Sequence, residues 1–136
     1  MGLDYLHSRH IVHRDLNPKN ILISSFDPRQ NKTRNSLDQE IYPGQNEIIE
    51  ILKISDFGIS KILDCETDLL SKTTIGTPKY FSPEICSGKK YSCKTDIWSL
   101  GCILYEMTAL KHPFEENNLV ALFKKIKKCK FDDIPK

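Results

Sequence analysis

No apolar run in this 136-residue chain approaches the roughly 18 residues that cross a bilayer, and no signal-peptide pattern opens it. Met1-Gly2 begins like a myristoylation signal, but Leu6 stands where that signal needs Ser or Thr. Charge of one sign is also scarce: 20 Lys and Arg against 18 Asp and Glu leave +2, too little to argue for nucleic acid or an anionic membrane. The five cysteines, Cys65, Cys86, Cys93, Cys102 and Cys129, include no C-x-x-C pair and are odd in number. That set builds neither a zinc site nor a disulfide framework and suits a reducing compartment. The expectation is an intracellular chain, cytoplasmic or nuclear, with no membrane and no nucleic-acid partner.

What is present is ordinary in bulk and specific in detail. With 39% hydrophobic and 28% charged residues over 136 positions, the composition is that of one globular domain with a real core. Three strings then occur in order: His13-Arg14-Asp15-Leu16-Asn17-Pro18-Lys19-Asn20, Asp56-Phe57-Gly58, and Gly76-Thr77-Pro78-Lys79-Tyr80-Phe81-Ser82-Pro83-Glu84. Together they resemble the catalytic loop, metal-binding turn and activation-segment close of the eukaryotic protein kinases, with S-P-E in place of A-P-E. The G-T-P-K-Y-F-S-P-E string is of the Ser/Thr type, and Lys111-His112-Pro113-Phe114 is similar to the NIMA-related group.

The resemblance implies a function and its residues. Phosphoryl transfer asks a protein chiefly to position groups and neutralise charge. Asp15 would be the catalytic base beside the attacking protein hydroxyl, and Thr77 would bridge to it. Asn20 and Asp56 would hold Mg²⁺ through oxygen donors, and Leu22 would lie under the adenine of ATP. His13, Phe57, Glu84 and Asp96 would be structural: Phe57 packing inward on His13, and Asp96 bonding the backbone of the His13–Arg14 turn. Thr73 would be a regulatory phosphorylation site pairing with Arg14, implying an upstream activating kinase; the alternative is an unmodified loop threonine.

The chain also departs from the family. Ser/Thr kinases usually carry a lysine two residues after the catalytic aspartate, and here that position is Asn17. Either Lys19 reaches the phosphate in its stead, or Lys19 points to solvent. No Gly-rich loop and no V-A-I-K lysine precede the catalytic loop, so the expected fold is the mainly helical C-terminal lobe with a small β-hairpin at the cleft and without the N-terminal lobe. The 136 residues alone are therefore expected to turn over little or nothing; a pseudokinase-like interaction module is the rival reading. A polar stretch from about residue 25 to 47 would be a disordered or partner-binding insertion.

The periodicities place the remaining elements. Residues from about 95 to 110 read as a helix with so little polar face that it should be buried. Residues from about 119 to 130 read as a basic amphipathic helix, either a plain surface helix or a calmodulin-type target. Glu84, lacking the family's distal arginine, would be a partly buried charge without a partner.

Overall fold

Short local signals set most of the boundaries in the computed structural model, which describes residues 2–26, 49–57, 61–62 and 77–134. Helix α1 spans Gly2–Ser8 and leads through a turn into strand β1, Ile11–Val12. A single turn of 3₁₀ helix, Pro18–Asn20, closes the loop that follows. Strands β2, Ile21–Phe26, and β3, Ile49–Ile54, come next, then β4, Lys61–Ile62. Two further 3₁₀ turns, Pro78–Tyr80 and Ile85–Ser87, precede helix α2, Cys93–Ala109, and helix α3, Leu119–Lys127.

The described residues fall into two compact units. The smaller, residues 21–55, is the antiparallel β2–β3 hairpin, in register from Ile21↔Ile54 to Phe26↔Ile49. Its β-branched residues favour extended backbone, but a two-stranded ribbon has no second layer of its own to bury them. Leu22 and Leu52 are exposed and Ile23 is 68% exposed, so Ile23 is not the core residue its apolar neighbours suggest. Strand β2 also runs two residues into the polar stretch expected from residue 25; the rest of that stretch up to residue 48 lies outside the described residues.

The larger unit, residues 1–20 and 56–136, is organised on α2. Ser92 starts that helix with its backbone N–H donating to Thr95 Oγ1 at 3.1 Å, half of a capping arrangement. Thr95, Asp96, Ser99, Cys102 and Ile103 are buried and recur at three- and four-residue steps, one face of the helix. The opposite face carries Ile97, Leu104 and Met107, the last 66% exposed. The expectation of a helix buried all round is therefore corrected: the described residues cover one face only. Cys86 and Cys102 have thiols pushed up to about 11 and about 12, chiefly by burial, so both stay protonated and inert.

Helix α3 is capped by Asn118, whose Oδ1 accepts the Ala121 N–H at 2.9 Å. It buries Leu122 and Ile126, and Phe123 meets Phe81 at 6.1 Å between ring centroids, while Lys124, Lys127 and Lys128 stay in solvent. A calmodulin-type partner would need the side that carries Leu122 and Ile126, and that side is buried, while Leu119 and Val120 at the helix start stay exposed. Trp98 stacks on Phe114 at 5.5 Å, and Phe131 meets both Phe114 and Tyr105 edge-on, which ties the 131–134 tail to α2. No helix of the described residues is long and apolar enough to cross a membrane.

Asp96, 1% exposed in the first turn of α2, is what links this scaffold to the loop after β1. Its Oδ2 accepts the His13 N–H and the His7 Nε2–H, both at 2.9 Å, and its Oδ1 accepts the Arg14 N–H at 3.0 Å. Three donors satisfy a carboxylate that would be costly to bury alone. Replacing Asp96 with Ala strands those donors, so we expect a loss of about 3 kcal/mol or more in urea unfolding. Ser82 gives the opposite case. It is fully buried, and among the described residues its hydroxyl has no hydrogen-bond partner. Ser82→Ala removes an unmet donor at almost no change in volume, and should stabilise by about 1 kcal/mol in the same measurement.

Candidate active site

The loop from His13 to Asn20 bends sharply at its second residue. Arg14 adopts a φ of 76°, a left-handed conformation that costs a residue with a Cβ on the order of 1–3 kcal/mol. The Asp96 bonds to the N–H groups of His13 and Arg14, at the entry to that bend, hold it in place. With the turn set, Asp15 is half-buried and faces Thr77. Its Oδ1 accepts two bonds from that one residue, from the backbone N–H at 3.0 Å and from Oγ1–H at 3.2 Å. Residues 62 positions apart in sequence are thus joined at the carboxylate.

Two amides finish the loop. Asn20, buried at the end of the 3₁₀ turn, donates from Nδ2 to the Asp15 carbonyl at 2.8 Å, with Asp15 Oδ2 3.4 Å from the same nitrogen. Asn17, 3% exposed, donates from Nδ2 to the Asp15 carbonyl at 3.0 Å and to Thr77 Oγ1 at 3.3 Å. Its Oδ1 accepts the Lys19 N–H at 3.0 Å, an Asx-type turn that holds the loop's second half. Lys19 itself is exposed.

On the other side of the site, Asp56 is exposed and also left-handed, with a φ of 62°. Phe57 reaches the His13 ring edge-on at 5.3 Å but remains 47% exposed. Phe57 thus meets His13 as expected but stays partly open to solvent among the described residues. His13 is fully buried. Arg14 lays its guanidinium 4.7 Å over the Tyr91 ring, and burial raises the Tyr91 phenol so that it stays neutral there. Glu84 is half-buried and does have a partner, since Thr95 Oγ1 donates to its Oε1 at 3.1 Å. The partner is a neutral hydroxyl on the first turn of α2, which meets the carboxylate's hydrogen-bonding need without a counter-charge.

Leu22 belongs to the hairpin unit, and Thr73, Gly58 and Gly76 lie outside the described residues. Among the described residues no group of three or more His, Cys, Asp or Glu gathers as a metal site. Asp56 and Asn20 nonetheless offer a carboxylate and an amide oxygen, the donor types that a hard divalent cation takes.

Four contributors were not legible in the motifs. His7 adds a side-chain donor to Asp96, Asn17 bridges Asp15 to Thr77, and Tyr91 carries Arg14. Tyr80 donates its hydroxyl to Glu106, and burial, with that carboxylate, holds the phenol well above its ordinary value. Asn17 was visible as a departure from the usual lysine, a signal that something there had changed. The other three are contacts between distant stretches, and a single sequence carries no mark of them.

Comparison with known proteins agrees with this geometry. The protein kinase domain family matches residues 1–135. The chain is 49% identical over 115 residues to probable serine/threonine-protein kinase nek1 of Dictyostelium discoideum, covering 85% of this chain and 22% of that protein. It is 43% identical over 134 residues to serine/threonine-protein kinase Nek5 of Homo sapiens, covering 98% of this chain and 16% of that one. Against serine/threonine-protein kinase nekl-2 of Caenorhabditis elegans the identity is 42% over 130 residues, 96% of this chain and 30% of the relative. The chain therefore spans less than a third of the length of each. A loop pinned by Asp96, an aspartate bridged to Thr77, and these matches lead to one conclusion: the chain belongs to the protein kinase family, among relatives that are NIMA-related serine/threonine kinases.

Proposed function

We propose that this chain supplies the helical catalytic lobe of a serine/threonine kinase that transfers the γ-phosphate of ATP to hydroxyls of protein substrates. The observation that carries the reading is the division of labour on the Asp15 carboxylate. Oδ1 accepts two hydrogen bonds from Thr77, at 3.0 and 3.2 Å, while Oδ2 stands 3.4 Å from Asn20 Nδ2, so Oδ2 is the less engaged oxygen and the one placed to accept a proton. As the substrate hydroxyl oxygen bonds to the γ-phosphorus, its proton passes to Oδ2. The bond from phosphorus to the β–γ bridging oxygen breaks, and ADP leaves with that electron pair. When bound, Mg²⁺ neutralises charge on the phosphates, and Asp56 and Asn20 are the residues that would hold it.

Lys19 is the catalytic loop's lysine, and its exposed side chain fits the task of meeting the transferring phosphate in place of the absent lysine at position 17. Leu22 of β2 would lie beneath the adenine. Thr73, phosphorylated by an upstream kinase, would place nearly two negative charges for Arg14 to pair with; this would draw its guanidinium from the Tyr91 ring.

In the full-length protein, Asp15→Asn should lower kcat by at least about a hundredfold, and Lys19→Ala by more than about tenfold, both read by phosphate transfer to a Ser/Thr peptide. Wild type and Asp15→Asn at the same background would instead favour the non-catalytic interaction module. Mass spectrometry of the active protein should find phosphate on Thr73; a bare Thr73 in fully active protein removes the proposed switch.

A further inference from the structure

A buried side-chain amide that meets backbone groups on two sides can hold only one orientation. The Lys19 N–H can only donate, so it faces Asn17 Oδ1, and the Asp15 carbonyl can only accept, so it faces Nδ2. The second N–H of that nitrogen then points at Thr77 Oγ1, 3.3 Å away. Because Nδ2 has nothing to accept with, the Thr77 hydroxyl must take that bond on a lone pair and turn its own proton to Asp15 Oδ1, 3.2 Å away. The chain of donors runs one way: Asn17 to Thr77 to Asp15.

We propose that Asn17 is a positioning residue for phosphate transfer. It fixes the direction of the Thr77 hydroxyl proton and so commits Oδ1 of Asp15 to hydrogen bonding, which leaves Oδ2, whose contact from Asn20 Nδ2 is long at 3.4 Å, to take the substrate proton. Three observations support it together: the residue is 3% exposed, both of its N–H groups are spent on the two residues flanking the transfer site, and its oxygen caps the loop that carries them. It carries no charge, so it orients the base and leaves neutralisation of the phosphate to other groups. The inference rests on the kinase reading above and deepens it.

Asn17→Asp separates the two halves of this role. It keeps the acceptor for the Lys19 N–H, so the loop stays capped, and it loses both donors. In the full-length protein, Asn17→Asp and Asn17→Ala should each lower kcat by roughly tenfold, the scale of one lost hydrogen bond, with KM for ATP within about twofold. Thr77→Val should do likewise, and Asn17→Ala added to Thr77→Val should cost no more than about a further twofold, because the route through the hydroxyl is already cut. Independent tenfold losses in the double variant, or unchanged kcat in both Asn17 variants, would overturn the proposal. If wild-type full-length protein transfers no phosphate, that failure belongs to the kinase reading. The bridge is then judged by urea unfolding of wild type, Asn17→Ala, Thr77→Val and their double variant: non-additive midpoints support it and additive midpoints sink it.

Discussion

A single carboxylate, Asp96, carries the mechanical burden of this molecule. It sits in the first turn of the most buried helix and meets two consecutive backbone N–H groups and one imidazole at 2.9–3.0 Å. Those backbone groups lead into a left-handed arginine, a bend that would relax to commoner backbone angles without them. Through them, the rigidity of α2 is handed to a loop that has almost no regular structure of its own. A loop can present groups for chemistry only if its geometry is set from outside.

Downstream of that anchor, the site is held by neutral hydrogen-bonding groups. Asn17, Asn20 and Thr77 each touch Asp15, by side chain or backbone. Amides and hydroxyls suit this role because each offers donors and acceptors at fixed angles without the desolvation penalty of a buried ion. Position 17, where the family usually carries a lysine, holds a neutral amide that is 3% exposed. The nearby Lys19 side chain is exposed to solvent.

The α2 helix shows how composition and environment part company. Ile97, Leu104 and Met107 are all exposed, and the first two line a groove of about 590 Å³ together with Trp98, Phe114 and Phe131. The residues of α3 make the reverse point. Its lysines look like a partner-binding signal until Leu122 and Ile126 are seen to be spent on the interior. Amphipathic pattern tells which face is apolar, and only neighbours tell whether that face is free.

The sequence by itself determined the family, the order of the motifs, and the approximate places of α2 and α3, because these depend on residue identity and on periods of two and 3.6 that act over a few neighbours. It named Asp15, Asn20, Asp56 and Thr77 by motif alone. Tertiary structure decided which groups meet across long stretches of chain: Asp15 with Thr77, His7 with Asp96, Arg14 with Tyr91, Glu84 with Thr95. It also decided that Ile23 and Met107 are exposed while Asn17 and Ser82 are buried, against their polarity. The reason is physical. Burial and hydrogen-bond pairing are properties of the space between elements, and that space exists only once helices and loops have packed.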